Sequence, residues 1–361
     1  MDNTASLFFY LFSFALSALC FHIGQKRQLK TATILGLLIP TLVGGLRYLV
    51  GVDYVSYMNK LQVAPGVDLM TFSNMFGGME PAMWVFGHFL PWPVFFAVTS
   101  FLTTFFFYLG FKKFGSKHIG LCMFLVLCII FPQALGGVRQ GVAMAICFYA
   151  FSFIPQRRLK PFIVAVLFAA LFHYSSLVML CVYPLYYFVV GKSSSEVSFL
   201  KRAFVVLFSA VAVIGVGFQV IQFIPFLSKY ALYMTAAFNE GYGEYMGTHN
   251  IIPEILAIGV MAMFYRYLVK GNTIGKLSFM AVAIMLIVTC LGFFIPLASR
   301  LADYFMAFFL LMLPNIIDVF RDRFSRRFVV CMVILFAVAF FIGGIYLNGS
   351  GGIFPYRFIF S

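Results

Sequence analysis

Charge is scarce in this sequence. Only 10% of its 361 residues are Asp, Glu, Lys or Arg, while 63% are hydrophobic. Such a balance excludes an ordinary globular domain and indicates a polytopic membrane protein. Ten-residue alternating patterns are also missing. The long apolar runs all have helix length, which excludes a transmembrane barrel. Connecting segments stay short, at most about 35 residues, so no separate soluble domain is expected. Residues 1–361 read as one transmembrane domain with two longer outer polar segments, 48–80 and 225–250. The seven cysteines all lie in apolar runs and lack metal-ligand spacing, so neither a disulfide nor a metal site is expected. The first apolar run, 5–23, has no basic region before it and is followed by Lys26 and Arg27. It is expected to be an uncleaved span rather than a signal peptide. No internal repeat is apparent.

The charge that is present is strongly cationic, with a net +14. Nucleic acid is an obvious partner for such a chain, but these cations sit in short loops between spans, where orientation signals belong. The apolar runs predict an all-α fold of about twelve transmembrane helices, ten of them at 5–23, 31–46, 94–111, 119–132, 142–154, 203–224, 251–268, 277–295, 304–317 and 328–347. Residues 81–90 stop at Pro91-Trp92-Pro93 and read as a short re-entrant helix, since half-helices at membrane depth line cavities. Residues 161–190 are interrupted by Phe172-His173-Tyr174-Ser175-Ser176 and read as a hairpin of two short spans. With that hairpin, nineteen of the 25 Lys and Arg fall on one side, taken as inside. Six remain outside: Arg47, Lys60, Arg139, Lys229, Arg300 and Arg357. Both chain ends then lie on the outer side.

Functional residue types gather at span ends on that outer side. Arg139 lies in Gly136-Gly137-Val138-Arg139-Gln140-Gly141, within an otherwise apolar run. An arginine near the bilayer interior costs from ~3 to more than 10 kcal/mol unless paired, hydrated or used. The glycines predict a helix-breaking turn that offers Arg139 to an anion; an interfacial arginine snorkelling to the headgroups is the alternative. Arg47 and Arg300 occupy similar settings. Three guanidinium forks suit a pyrophosphate, unless Arg47 and Arg300 are instead spent on Asp53 and Asp303 as internal ion pairs. Asp53, Glu80 and His173 are the candidate bases. Each also has a structural reading: a loop cap for Asp53, a helix-start carboxylate for Glu80, a hydrogen-bonded packing residue for His173. Tyr54, Gln140, Asp303 and Tyr304 flank these groups and are candidates for further substrate contacts. Glu240, Glu244 and His249 fall in the second outer segment, where a solvated loop is the default.

Five stretches appear in the order seen in a known family: GLRYLVGVDYVSY (Gly45 to Tyr57), EPAMWVF (Glu80 to Phe86), GGVRQGVAMAICFYAF (Gly136 to Phe151), FHYSSLVML (Phe172 to Leu180) and SRLADYF (Ser299 to Phe305). Together they resemble the EpsG family, which groups with Wzy-type polymerases of bacterial surface polysaccharide. In that family an Asn often precedes the Arg-Gln pair, where this chain has Val138. The resemblance implies a GT-C-like membrane glycosyltransferase of the bacterial inner membrane that needs no metal or other cofactor. Its donor and acceptor would be undecaprenyl-pyrophosphate-linked oligosaccharides, joined on the outer face, with a chain-length regulator as a further protein partner. A flippase or transporter of the same lipid-linked sugars, and an O-antigen ligase, are the competing readings. A flippase cavity must open both ways and would place charges in the inner half too. A ligase would carry a larger outer loop.

Overall fold

The computed structural model describes residues 1–76, 81–191, 195–205, 209, 252–292 and 296–360. Glu80, the outer segment 225–250 with Glu240, Glu244 and His249, and nearly all of the expected span 203–224 lie outside the described residues. Among those described there is no β-strand, and the fold is all-helical as expected. Among the described residues, six helices are long and apolar enough to cross a membrane: Asn3–Arg27, Trp92–Lys113, Tyr174–Gly191, Thr273–Leu291, Arg300–Val319 and Arg323–Leu347. The expected number was about twelve. Several expected spans form shorter helices, such as Ile119–Ile129 and Leu159–Ala170. At 1.5 Å per residue these rise only about 16–18 Å against a hydrocarbon core of about 30 Å.

The chain divides into two compact units. The first comprises Met1–Leu180 and Pro314–Ser361. It contains α1 (Asn3–Arg27), α2 (Lys30–Gly45), α3 (Tyr54–Val63), α4 (Leu69–Phe76), α5 (Pro81–Phe89), α6 (Trp92–Lys113), α7 (Ile119–Ile129), α8 (Phe131–Gly136), α9 (Val138–Phe151) and α10 (Leu159–Ala170). The final long helix, Arg323–Phe340, returns to this unit. Nearly every residue of α7 and α9 is buried, as an all-round apolar helix requires. Helices α1, α6 and Arg323–Phe340 pack around α7, and α6 and α10 flank α9. The short α5 ends before Pro91, as expected for 81–90. The interruption expected near His173 also appears, as a non-α turn between α10 and Tyr174.

The basic loops of the first unit meet at one end. Gln25 bonds the Ser116 carbonyl and accepts from the Ile119 N–H. Asp318 lies 3.8 Å from Lys117, 3.3 Å from His118 and 3.4 Å from Arg326. Lys113 and Arg158 share the Phe153 ring. Four loops that charge counting assigned to a single side are therefore neighbours.

The opposite end is closed by an arginine. Arg47 is fully buried. Its guanidinium donates to the carbonyls of Gly44 (3.1 Å), Val50 (2.8 Å) and Leu135, and lies 4.6 Å from the centre of the Phe96 ring. Among the described residues it has no carboxylate partner, so the expected Arg47–Asp53 pair does not form. The C-terminal tail, which reads from sequence as a short Gly-rich end, is laced onto this corner. Tyr48 N–H donates to Arg357, Ile359 to Leu46, Gly51 to Gly352 and Val52 to Gly351. Tyr356 is buried and donates its hydroxyl to Val43, while its N–H is held by Ser6. Gly51 has φ +106, and a Cβ there would strike the Leu135 carbonyl and Arg47; only glycine suits it. The Met1 amino group lies 3.5 Å from the Tyr356 carbonyl. The N-terminus thus meets the C-terminal tail at this corner.

The second unit, Cys181–Leu313, contains Ile252–Met263, Tyr265–Leu268, Thr273–Gly292 and Pro296–Met312. Glu196 joins Lys276 at 2.7 Å and accepts the Tyr265 hydroxyl at 2.8 Å. The Lys276 hydrogen bond holds the Glu196 carboxyl below its usual range.

Arg47→Lys tests the clasp. A lysine retains the charge but loses the fork, and each carbonyl left unpaired costs roughly 1–3 kcal/mol. The expected result is a lower unfolding temperature in detergent together with rapid proteolysis of residues 349–361. A variant as stable and as protected as the wild type would remove Arg47 from this structural role.

Candidate functional site

The outer polar segment 48–80 is folded. Tyr54, Tyr57, Leu61 and Ala64 recur at helical spacing on α3 and are buried. They pack with Phe72 of α4, Met83 of α5, Phe95 and Phe96 of α6, and Val138 at the start of α9. What reads as a loop is a cap with its own apolar core. Because Val138 belongs to that core, the position of its neighbour Arg139 is set by packing.

The GGVRQG stretch does break the helix, but over a single residue. Gly137, at φ −96 and ψ 64, separates α8 from α9, and Arg139 lies in the first turn of α9 rather than in the break. Gly141 allows α8 to approach, since a Cβ there would run into the Ala134 methyl. Arg139 is half-buried. Its Nε donates to the Tyr57 hydroxyl at 3.4 Å, and its guanidinium lies 5.4 Å from the centre of the same ring.

Lys60, one turn beyond Tyr57 on α3, is 8% exposed. Burial pushes its ammonium pKa down to about 8; the Arg139 charge acts in the same direction and Asp53 opposes it. Burial raises the Tyr57 hydroxyl, against the pull of Arg139 and with a further push from Asp53. Asp53 is exposed at the N-cap position of α3, where its side chain makes no capping bond. Two cations, a phenol and a carboxylate are therefore within electrostatic reach of one another. A cation in the first turn opposes the helix dipole, at about 0.3–1 kcal/mol, and a second cation beside it adds repulsion. An anion is attracted by the helix start and by the two side chains together.

The other expected site residues fall as follows. Arg47, expected among the pyrophosphate ligands, is buried and donates to backbone carbonyls. Tyr54, expected to touch substrate, is buried; its ring stacks on Phe96 at 4.5 Å and its hydroxyl donates to the Arg47 carbonyl at 3.2 Å. Gln140 is half-buried beside Arg139. His173 follows α10, with its N–H donated to Ala169 at 3.1 Å. The neighbouring Phe172 packs on Phe86 of α5, and the Ala82 N–H donates to Leu171. The start of α5, immediately after Glu80, is thereby tied to the turn that carries His173. In the second unit, Arg300, Asp303 and Tyr304 share the Pro296–Met312 helix. Arg300 is exposed, Asp303 half-buried and Tyr304 buried. Among the described residues no group of three His, Cys, Asp or Glu is arranged to hold a metal.

Lys60 is the residue that sequence reasoning missed. Its signal was the three-residue step from Tyr57, which puts both on one helical face; that face is invisible when the segment is read as a loop.

These features define an all-helical membrane protein with paired cations at the start of a buried helix. The chain belongs to the EpsG family, matching it over residues 30–358, and this is a family of Wzy-type polysaccharide polymerase-like membrane proteins. No curated protein and no solved structure matches the chain.

Titration distinguishes Lys60 from its surroundings. Inorganic pyrophosphate binding by the purified protein should weaken as pH rises through about 8, where the Lys60 charge is lost. Lys60→Arg keeps the charge and should remove that alkaline limb, whereas Lys60→Met should bind weakly throughout. Coincident wild-type and Lys60→Arg profiles would place Lys60 away from the anion.

Proposed function

We propose that this protein is a polysaccharide polymerase acting on undecaprenyl-pyrophosphate-linked oligosaccharides at the outer face of the bacterial inner membrane. The observation that carries the reading is the pairing of Arg139 with Lys60 at the positive start of α9, beside Asp53 and Tyr57. In the reaction, a terminal hydroxyl of the acceptor repeat attacks the anomeric carbon of the donor glycan. The bond from that carbon to the pyrophosphate oxygen breaks, and undecaprenyl pyrophosphate departs with the electron pair. The hydroxyl proton passes to a base, for which Asp53 and His173 are the described candidates and Glu80 a third. Arg139 and Lys60 neutralise the charge that grows on the leaving group, which is preorganised electrostatic stabilisation. Arg300 keeps its candidacy as a further phosphate ligand and Asp303 as a substrate contact. Family membership supports the polymerase type, and the cation pair supports a phosphate-bearing substrate. The grouping of the basic loops away from Arg139 supports its assignment to the outer side.

Arg139→Ala tests this in a strain lacking the native gene, complemented at verified expression and read as the polysaccharide length ladder. Loss of one charge-stabilising donor typically costs about 10²–10³-fold in rate. The expected pattern is single-repeat material at the surface without longer rungs. A full ladder would reduce Arg139 to a structural residue. Disappearance of even the single repeat from the surface would instead favour a flippase for the same lipid.

A further inference from the structure

The end of the first unit that carries the basic loops holds a second feature, separate from the Arg139 group and independent of the polymerase reading. A groove of about 310 Å³ runs between α1, α7 and the Arg323–Phe340 helix. Its walls are apolar, with Leu19 from α1, Leu121 and Phe124 from α7, and Val330 and Ile334 from the last helix. Its upper margin is marked by His22 and His118. Beyond His118 the surface is cationic. His118 and Arg326 both contact Oδ1 of Asp318, and Lys117 approaches Oδ2. The Lys117 side chain is 77% exposed and that of Arg326 47%. One carboxylate is shared among these groups, and Arg321, Arg323 and Arg327 follow on the same stretch against Asp322 alone. Positive charge is in excess there.

We propose that this groove is a binding site for an anionic phospholipid, with one acyl chain along the apolar walls and the headgroup phosphate between Lys117 and Arg326. Three observations support this occupant over others. The groove is built from two of the helices long and apolar enough to cross a membrane, Asn3–Arg27 and Arg323–Leu347, so a lipid chain is the solvent that meets it. An apolar slot has no partners for water. Its charged margin lies at the end where the basic loops meet, and basic pockets between spanning helices on that face select anionic headgroups. A zwitterionic lipid would fill the same walls but leave the excess charge unmatched.

The test uses the full-length protein, stripped of lipid in detergent and titrated with phosphatidylglycerol or phosphatidylcholine of identical chains, with binding read by native mass spectrometry. Phosphatidylglycerol should bind more tightly. Lys117→Gln and Arg326→Gln, both at exposed positions, should each weaken it by about fivefold and leave phosphatidylcholine unchanged. Ala15→Trp, at an exposed position lining the groove, should weaken both lipids by obstructing the chain. Circular dichroism establishes that each variant is folded. Equal affinity for the two lipids, phosphatidylglycerol binding unaffected by Lys117→Gln and Arg326→Gln, or binding unaffected by Ala15→Trp would each overturn the proposal.

Discussion

The first unit depends on the placement of one guanidinium. Arg47 is fully buried, and a buried charge is tolerated only when its donors are satisfied. Here the donors reach Gly44 at the end of α2, Val50 in the following loop and Leu135 in α8. One side chain therefore ties the end of its own helix and the loop that follows to α8, which is distant in sequence. The face of Phe96 supplies a further attraction from α6, and such contacts strengthen on desolvation. With that corner fixed, the 46–52 backbone is held in the shape onto which the C-terminal tail hydrogen-bonds. The cap helix α3 begins a few residues later. The corner from which the candidate site's cap helix departs is thus fixed by a buried charge.

Arg47 and Arg139 show how environment divides one residue type between two tasks. Both follow glycine-containing stretches at the ends of apolar helices, and both carry an aromatic ring against the guanidinium. Arg47 is sealed from solvent and spends its donors on main-chain oxygens. Arg139 is half-buried, at the start of a helix whose dipole disfavours it and near Lys60, which disfavours it again. An anion at this point would be attracted by the helix start and by both side chains.

What was legible in the sequence follows from what each signal depends on. The all-helical class follows from runs of apolar residues, which need no knowledge of partners. The grouping of basic loops followed from charge alone, because orientation bias acts on whole loops. The breaks at Gly137 and near His173 were visible because glycine and polar residues interrupt otherwise continuous apolar runs. The carbonyl partners of Arg47 were not legible for a physical reason: every residue carries a carbonyl, so no pattern of side chains announces them. The tail was missed likewise, since Gly349, Gly351 and Gly352 read as slack when they serve positive φ values in a tight contact. Lys60 was hidden by the premise that a polar segment is a loop. Several expected spans form helices of 11–14 residues, because an apolar run of that length reads alike whether it is a buried helix or part of a crossing.

The cap helps explain how a cation on α9 and another on α3 come to lie near each other. Had α9 begun in lipid, Arg139 would have snorkelled to the headgroups and taken no fixed position. Instead Val138 is anchored among Tyr57, Leu61, Met83 and Phe95, and Tyr57 accepts from the neighbouring guanidinium. The same helix that buries Tyr57 buries Lys60 one turn later, so a single packing decision orients both charges. Stabilisation of a departing phosphate depends on donors already in place when charge develops, because donors that must reorganise lose much of their advantage. A folded cap on a broken helix supplies that order at the cost of a few apolar side chains, and it leaves Asp53 exposed at the cap's edge, where a hydroxyl can reach it.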